Sequence, residues 1–260
     1  MKSVVALADL HCGHRAGLTP PEWQWPVRNA PPARAAWGVA QREAWKAYTD
    51  IRKAIGSPDL LIVVGDLIDG RGESSGSTEL VAVDRLEQCE MAQAALDVWG
   101  AQRTVIARGT AYHSGDMEEY EDLIAHGLGA EIDTHPFIQV ENVVFDVKHR
   151  ISGSQVPYGR YTALARDRVW NVLWAERDEA PKAQVILRAH VHYFAAISGR
   201  GWTAMILPAL QLGRTRHGET NFSGTVDWGL VQFTVEGGGH TWREHTRGLR
   251  ANARTLIHVP

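Results

Sequence analysis

The sequence predicts a layered α/β fold, and this prediction rests on an alternation of strand and helix patterns along the chain. Short apolar runs rich in β-branched residues have the length of strands and occur at 4–8, 60–64, 104–107, 143–147 and 185–189. Helical patterns, with apolar residues at three-to-four spacing, lie between them at 35–55 and 79–100. Several of the apolar runs lack alternation, which is typical of strands buried on both faces. Strands that alternate with helices indicate α/β layers.

A change of pattern after residue 185 predicts a further sheet. The segments WTAMILPAL, GLVQFTV and HTWREHT are short and strand-like, and glycines are frequent between them. We expect these pieces to form a second, more antiparallel sheet.

The remaining segments are interpreted within one domain that spans 1–260. The first ten residues contain one lysine and reach a charged Asp at once, so they read as a strand and not as a signal peptide. A proline-rich stretch with Trp23 and Trp25 indicates an ordered loop, which with the helix that follows forms an insertion over 12–58. The segment 150–180 is first polar and then helical, and it could cap a site.

The composition limits the classes of partner. With 260 residues, of which 44% are hydrophobic, the chain can bury a full core. The 27 Lys and Arg against 30 Asp and Glu create no overall positive field that would gather nucleic acid. Cys12 and Cys89 are too few for a disulfide framework and fit a reducing cytoplasm. No apolar stretch approaches the roughly 20 residues that cross a bilayer, so no membrane partner is expected.

Acidic and histidine side chains follow the first two predicted strands directly. Asp9 and His11 come after the first strand, where an extended backbone would place both side chains on one side. The second strand ends in Gly65 and Asp66, and a glycine allows the tight turn that would project the carboxylate into a crevice. In open α/β sheets, ligands bind at this edge.

Histidines follow two later strands in the same way. His149 ends the run at 143–147, and His190 and His192 end the run at 185–189. A single Asp or His after a strand is most often a cap or a turn residue. A lone His-x-His pair is also weak evidence in a chain with 12 histidines. The ordered set of such residues is more specific than any member of it.

The ordered set resembles the calcineurin-like metallophosphoesterase family, whose motifs run DxH, GDxxD, GNH with an acidic residue, a single His, and GHxH. The corresponding positions here are Asp9–His11, Gly65–Asp69, a variant at Gly109, His149 and Ala189–His192. A looser similarity is to a phage-associated branch of the family. The resemblance implies an α/β/β/α sandwich of two mixed sheets flanked by helices.

The same resemblance implies two divalent metal ions, which the mixed carboxylate and imidazole ligands would select from Mn, Fe, Zn, Co or Ni. The first ion would be held by Asp9, His11 and His192, the second by His149 and His190, with Asp66 bridging. Two such ions can clamp a phosphoryl group and generate hydroxide. We expect hydrolysis of phosphoesters, most simply phosphodiesters related to nucleotides or nucleic acid, with phosphomonoesters as the alternative.

The third motif departs from the family pattern. Thr110 stands where the family has Asn, so it is an uncertain ligand of the second ion, and His113 lies two residues later than the usual histidine. We interpret His113 as the acid that protonates the leaving oxygen and count it as catalytic together with Asp66. The alternative is that His113 is a solvated loop residue.

Other residues beside the motifs are candidates for contacts with the substrate or the ligands. Arg108, Arg150 and Arg188 could donate to phosphate oxygens, and Tyr112 could contact the substrate. The arginines could equally be surface residues paired with Asp or Glu. Asp69 is expected to orient a ligand histidine. A metal-poor interaction module with the same fold, and a protein with a single metal ion, remain alternatives.

Overall fold

Two sheets form the centre of the computed structural model, which describes residues 1–114, 119–154, 156–213, 215, 218–219 and 224–252. The strands are β1 (Lys2–Ala8), β2 (Leu60–Val64), β3 (Arg103–Ala107), β4 (Glu131–Asp133), β5 (Phe137–Val140), β6 (Val143–Arg150), β7 (Val185–Ala189), β8 (Ala195–Gly199), β9 (Trp202–Ile206), β10 (Trp228–Glu236) and β11 (Gly239–Arg247). The helices are α1 (Pro32–Ile55), α2 (Arg85–Asp97), α3 (Ala111–Ser114), α4 (Tyr120–Leu128) and α5 (Arg160–Glu176).

The first sheet contains six strands in the order β11-β10-β1-β2-β3-β4. Its strands β1 to β4 are parallel, and Val4 pairs with Leu60 in the register that joins β1 to β2. All five residues of β2 are buried, as the apolar run without alternation predicts. The parallel strands therefore carry their carboxyl ends to one edge of the sheet.

The second sheet contains five strands in the order β5-β6-β7-β9-β8 and is mixed, with β6, β7 and β9 parallel. The expectation that every strand after 185 joins this sheet is wrong for two of them. Strands β10 and β11 form a hairpin, and β10 pairs antiparallel with β1 in the first sheet. The reason is that the apolar alternation of a strand specifies its buried face, whereas its partner depends on which sheet edge is free.

Three layers of apolar side chains hold the sandwich together. The layer between the sheets includes Val4, Ile62, Phe145 and Phe233. Alternate residues of β1 and β2 face outward and pack under α1, α2 and α4, while α5 covers the outer face of the second sheet. The predicted α/β/β/α sandwich of two mixed sheets flanked by helices is thereby confirmed.

Helix boundaries follow the local capping chemistry. The helix predicted over 79–100 begins only at Arg85, because the Asp84 side chain accepts a hydrogen bond from the Leu86 N–H and caps the helix there. Helix α1 starts at Pro32, a residue that suits the first helical position. Among the described residues, no helix combines the length and the apolar character that a membrane span requires.

Candidate metal centre

The carboxyl ends of β1, β2, β6 and β7 meet at one edge of the sandwich, and the six residues singled out as metal ligands converge there. They form two groups whose ligand atoms lie within 4.8 Å of one another: Asp9, His11 and His192, and Asp66, His149 and His190. Each group combines residues from both sheets, because Asp9, His11 and Asp66 follow strands of the first sheet and the other three histidines lie at the ends of β6 and β7 in the second sheet. The fold therefore brings together all six side chains that the sequence predicts as ligands.

The backbone at this edge is left-handed where the sequence predicts extended geometry. The φ angles of five of the six residues are positive and lie between 45° and 79°: Asp9, His11, Asp66, His190 and His192. The expectation that an extended backbone aligns Asp9 with His11 is thus wrong, because the chain leaves β1 at residue 8 and turns sharply. Each such residue costs on the order of 1–3 kcal/mol, and such strain tends to cluster at functional sites.

Backbone hydrogen bonds between the first two motifs hold this strained geometry. The N–H of Asp9 donates to the carbonyl of Gly65 at 3.1 Å, and the N–H of His11 donates to the carbonyl of Asp66 at 2.9 Å. Gly65 itself has a φ of 68°, and a Cβ there would meet the His149 ring at 2.5 Å. A glycine is therefore required for the close approach of the two sheets.

The first group has the spacing of ligands around one cation. The Nε2 atoms of His11 and His192 lie 3.3 Å apart, and Oδ1 of Asp9 lies 3.9 Å and 3.4 Å from them. Around a cation with bonds of about 2.1 Å, neighbouring ligand atoms lie about 3.0–3.4 Å apart. Two of the three separations match this range. The third, 3.9 Å between Oδ1 of Asp9 and Nε2 of His11, is longer than the range.

The second group is more open. Oδ2 of Asp66 lies 3.0 Å from Nε2 of His149 and 3.9 Å from Nδ1 of His190. Nε2 of His149 also lies 3.9 Å from Oδ1 of Asp9, so the two groups are adjacent. The Asp66 carboxylate stands beside both groups, which is the position of a bridging ligand.

The histidine rings are oriented by hydrogen bonds on the opposite side. Nδ1 of His149 lies 2.7 Å from the carbonyl oxygen of Val64, and Nδ1 of His11 lies 3.2 Å from Oδ1 of Asp69. An oxygen acceptor at Nδ1 leaves the lone pair of the neutral ring on Nε2, which is the arrangement of a metal-bound imidazole. The contact of Asp69 with a ligand histidine is the one that the sequence predicts.

Two buried atoms at the centre have no hydrogen-bond partner among the described residues. These are Oδ1 of Asp9 and Nε2 of His149. Buried polar atoms are nearly always paired, because leaving one unpaired costs about 1–3 kcal/mol. Both have an oppositely charged neighbour, since Nε2 of His149 lies 3.0 Å from Oδ2 of Asp66 and Oδ1 of Asp9 lies 3.4 Å from Nε2 of His192, and the two atoms lie 3.9 Å apart. A divalent cation satisfies such atoms, so the residues present fit the group that the resemblance implies.

The charges of the centre also fit cation binding. Burial opposes ionisation of Asp66, but His149 and its other imidazole neighbours outweigh it and hold the pKa of this carboxyl well below the usual range. Burial likewise opposes the charged form of His149, yet the adjacent Asp66 carboxylate raises its pKa to about 10. Burial and the nearby His113 lower the pKa of His11 to about 4. Near pH 7 and without a metal, ionised carboxylates and a neutral His11 thus surround the centre, while His149 carries a proton that a bound cation would displace.

Thr110 and His113, the residues in which the third motif departs from the family pattern, both lie next to Asp66. Thr110 donates to Oδ1 of Asp66 through its backbone N–H at 2.7 Å and through its hydroxyl at 3.0 Å. Nδ1 of His113 lies 2.8 Å from the carbonyl oxygen of Asp69, and its Nε2 lies 4.0 Å from Oδ2 of Asp66. Thr110 therefore orients the carboxylate, and His113 presents Nε2 to the edge of the centre.

The arginines beside the motifs differ in their surroundings. Arg108 forms a two-pronged ion pair with Asp122. Arg188 is buried and paired with Asp146 and Asp167 on the outer side of the second sheet, so it has no access to the centre. The interpretation of Arg188 as a phosphate contact is wrong, because the side chain alternates to the face of β7 opposite the sheet interface.

Two further predicted substrate contacts lie on the surface. Arg150 is exposed at the end of β6. Tyr112 is 51% exposed, and its ring meets the His113 ring edge to face with centroids 4.9 Å apart. The helical segment 160–176 of the expected cap lies on the outer face of the second sheet. At its start, Arg160 lies over the ring of Tyr193, the residue that follows His192 in the chain.

Glu121 is a buried functional residue that the sequence reasoning missed. Its carboxylate accepts hydrogen bonds from the N–H of Gly109 at 2.7 Å and of Leu67 at 3.2 Å. It thus ties the second and third motif loops together, next to Asp66 and Thr110. Its place on α4, twelve residues beyond Gly109, hides it from a search of contiguous motifs. A usable signal is an acidic residue on the apolar face of the helix at 120–128.

Comparison with protein-family models and with curated proteins finds no match. Solved structures with a similar course of the chain include wild-type Vps29 with zinc from Entamoeba histolytica, at 12% identity and a TM-score of 0.44, covering 94% of this chain and 98% of that one. Another is an archaeal phosphodiesterase, at 9% identity and a TM-score of 0.45, covering 93% and 99%. A third is a predicted phosphoesterase from Streptococcus pneumoniae, at 10% identity and a TM-score of 0.38, covering 94% and 97%. These similarities are too low to carry an inference about activity.

Proposed function

We propose that the chain is a metal-dependent phosphoesterase that hydrolyses phosphodiesters and uses two divalent cations. The observation that carries this proposal is the convergence of two adjacent groups of buried carboxylate and imidazole side chains, in which Oδ1 of Asp9 and Nε2 of His149 lie 3.9 Å apart. The order of the motifs, which resembles the calcineurin-like metallophosphoesterases, supports the same chemistry.

The ligand side chains divide between two sites in this proposal. Asp9, His11 and His192 hold one cation, and His149 and His190 hold the other. When bound, the cations supply Lewis-acid polarisation of the phosphoryl oxygens and lower the pKa of water. The protein then needs no covalent nucleophile.

Asp66 has the task of keeping the two sites at a fixed distance. One carboxylate oxygen faces His149, and the other is held by the N–H and the hydroxyl of Thr110. These two hydrogen bonds fix the plane of the carboxylate, so that Oδ2 stays directed into the centre. In this reading Thr110 is a positioning residue, and the family's Asn ligand has no direct replacement.

His113 is proposed as the acid that protonates the leaving oxygen. Because its Nδ1 donates to the carbonyl of Asp69, Nε2 is the ring nitrogen left to face the substrate, and the acid role requires the second proton on that nitrogen. That nitrogen lies at the edge of the centre, 4.0 Å from Oδ2 of Asp66, where a leaving oxygen would depart.

The finer features of the proposal concern the substrate and the compartment. The exposed Tyr112 beside His113 offers a ring face to a nucleotide or nucleic-acid leaving group. Arg150 is exposed and offers a positive charge to the phosphate. Arg108 can offer its charge only by breaking its ion pair with Asp122. Manganese is the cation that we would add first. Two buried free thiols, Cys12 and Cys89, favour a reducing compartment such as the cytoplasm.

Metal analysis combined with a substrate panel tests the proposal. Protein purified without chelator is analysed for metals and assayed with bis-p-nitrophenyl phosphate, p-nitrophenyl phosphate and dinucleotides. About two cations per chain and faster turnover of the diesters are expected. Preference for the monoester would favour the phosphomonoesterase alternative. One cation would reject the two-site arrangement, and the absence of both bound metal and turnover in added Mn²⁺ would reject the proposal and favour an interaction module.

A further inference from the structure

Helix α5 presents an apolar stripe to solvent on the face that does not pack against the second sheet. The stripe consists of Tyr161, Val169, Trp170 and Leu173, which are 48%, 58%, 49% and 45% exposed. Val169 and Trp170 precede Leu173 by four and three residues and so share one face with it, whereas the inward face carries Ala163 and Leu164. Contiguous exposed apolar surface of this kind marks a contact site.

The stripe is extended sideways by aromatic rings. Trp170 stacks on Trp174 with centroids 6.3 Å apart, and Trp174 meets the ring of His135 at 5.8 Å. His135 in turn lies beside Phe137 of β5. The apolar surface is therefore broader than one helix stripe, and none of the described segments covers it.

The charges around the stripe are divided between its two ends. Arg160 and Arg166 lie in the first half of α5, while Glu176 and Asp178 lie at its end and just beyond, next to an ion pair between Arg177 and Glu179. Asp167 in the helix is paired with the buried Arg188. Glu176 is exposed and has no charged partner among the described residues. Arg166 contacts only Ser152 and, at 3.9 Å, Asp167. A partner that fits this face must carry the opposite order of charge along an apolar helix.

A second copy of the same helix, run in the opposite direction, has that order. We propose that α5 is the interface of a homodimer in which two copies pack antiparallel about a twofold axis. With the axis beside residue 171, Arg166 of each copy faces Glu176 of the other, and Trp170 lies at the centre. The helix is about 25 Å long, which is enough for an interface at the small end of the specific size range.

The arrangement has a consequence for the two metal centres. Helix α5 connects the end of β6 to the start of β7, so its first turn lies near the centre and its last turn lies at the opposite end of the sandwich. Antiparallel packing would therefore place the two centres at opposite ends of the dimer. Both would remain open to substrate, and the inference does not depend on the proposed function.

Sedimentation velocity across a wide range of protein concentration tests the interface. The unmodified chain is expected to pass from monomer to dimer, and Val169→Glu is expected to raise the dissociation constant at least tenfold. The matched control is Val39→Glu, the same substitution at a 52% exposed position on α1, which should leave the dimer intact. Circular dichroism verifies that each variant is folded.

Charge exchange tests the direction of packing. Arg166→Glu alone and Glu176→Arg alone should each weaken the dimer, and the double variant should restore it. A chain that stays monomeric at every concentration, or equal effects of Val169→Glu and Val39→Glu, would overturn the proposal. Loss of the dimer with Val169→Glu but no response to charge exchange would reject the antiparallel arrangement.

Discussion

The Nε2 atoms of His11 and His192 lie 3.3 Å apart although the residues are separated by 181 positions in the chain. At least one of these nitrogens carries a lone pair, since Nδ1 of His11 faces the Asp69 carboxylate. Without a metal, a proton on His192 can form a hydrogen bond to that lone pair, and a cation would take the place of this proton. The Oδ1 atom of Asp9, 3.4 Å from His192, completes a triangle that a cation would stabilise.

Binding of cations is expected to stabilise the folded chain strongly. The centre concentrates buried carboxylates and imidazoles, and a cation would add charge compensation and ligand bonds beyond those that the ion pairs between them provide. Cation at a thousandfold excess over its dissociation constant adds about 4 kcal/mol per site. For a domain of this size, that corresponds to a rise in Tm on the order of 10 °C. Differential scanning fluorimetry of chelated protein titrated with Mn²⁺ measures it, and an unchanged Tm would contradict the metal assignment.

Asp66→Asn is expected to abolish both metal retention and turnover. The amide keeps the shape of the side chain but removes the negative charge that faces His149, and its NH₂ group would conflict with the Thr110 donors. A loss of turnover on the order of a thousandfold or more follows if the bridging ligand fails. Metal analysis and kinetics measure it. The control is Asp122→Asn, a carboxylate paired with Arg108 outside the ligand set, which should retain both cations.

His113→Ala is expected to affect substrates according to their leaving group. General-acid catalysis contributes on the order of a hundredfold or more for a poor leaving group and little for p-nitrophenolate, which departs without protonation. Turnover of a dinucleotide should therefore fall much more than turnover of bis-p-nitrophenyl phosphate, with metal content unchanged. Tyr112→Phe serves as the control beside it. Equal losses on both substrates would remove the general-acid assignment.

Sequence reasoning identified the six candidate ligands that the fold brings together because each of them lies at or just after the end of a buried strand. An apolar run such as LLIVV specifies both a strand and its end, and parallel strands bring their ends to one edge. The left-handed backbone of Asp9 and His11 could not be predicted in this way. It depends on hydrogen bonds to Gly65 and Asp66, which are more than 50 residues distant, and local propensity disfavours it.

The residues that sequence reasoning misassigned or missed act through long-range contacts. Arg188 precedes a motif, but the alternation of β7 turns it away from the centre toward Asp146. The hairpin of β10 and β11 reads as strands, but only the assembled fold shows that β1 has a free edge for it. Glu121 lies outside any contiguous motif, and its hydrogen-bond partners are backbone N–H groups. Every residue except proline has such a group, so the sequence does not indicate which ones Glu121 contacts.

Glu121 is expected to make the stability of the metal-free protein depend on pH. Burial raises the pKa of its carboxyl from 4.5 to about 7, because its hydrogen bonds from Gly109 and Leu67 only partly offset the desolvation. Between these values the unfolded chain releases the proton while the folded chain keeps it. The favourable contribution of Glu121 to the free energy of unfolding is thus complete below about pH 4.5, and it is lost as the pH rises through about 7. The loss amounts to at most about 3 kcal/mol.

Urea unfolding of the chelated protein at several pH values measures this contribution as a difference from Glu121→Gln. The Gln side chain does not titrate, so the free energy of unfolding of the unmodified chain should decline relative to the variant as the pH rises from about 4.5 to 7. Other titrating groups cancel in the comparison because both proteins carry them. Glu90→Gln, at an exposed position on α2, should show no such divergence. Parallel pH profiles for the unmodified chain and Glu121→Gln would contradict the prediction. They would show that burial does not raise the pKa of the Glu121 carboxyl in the folded chain.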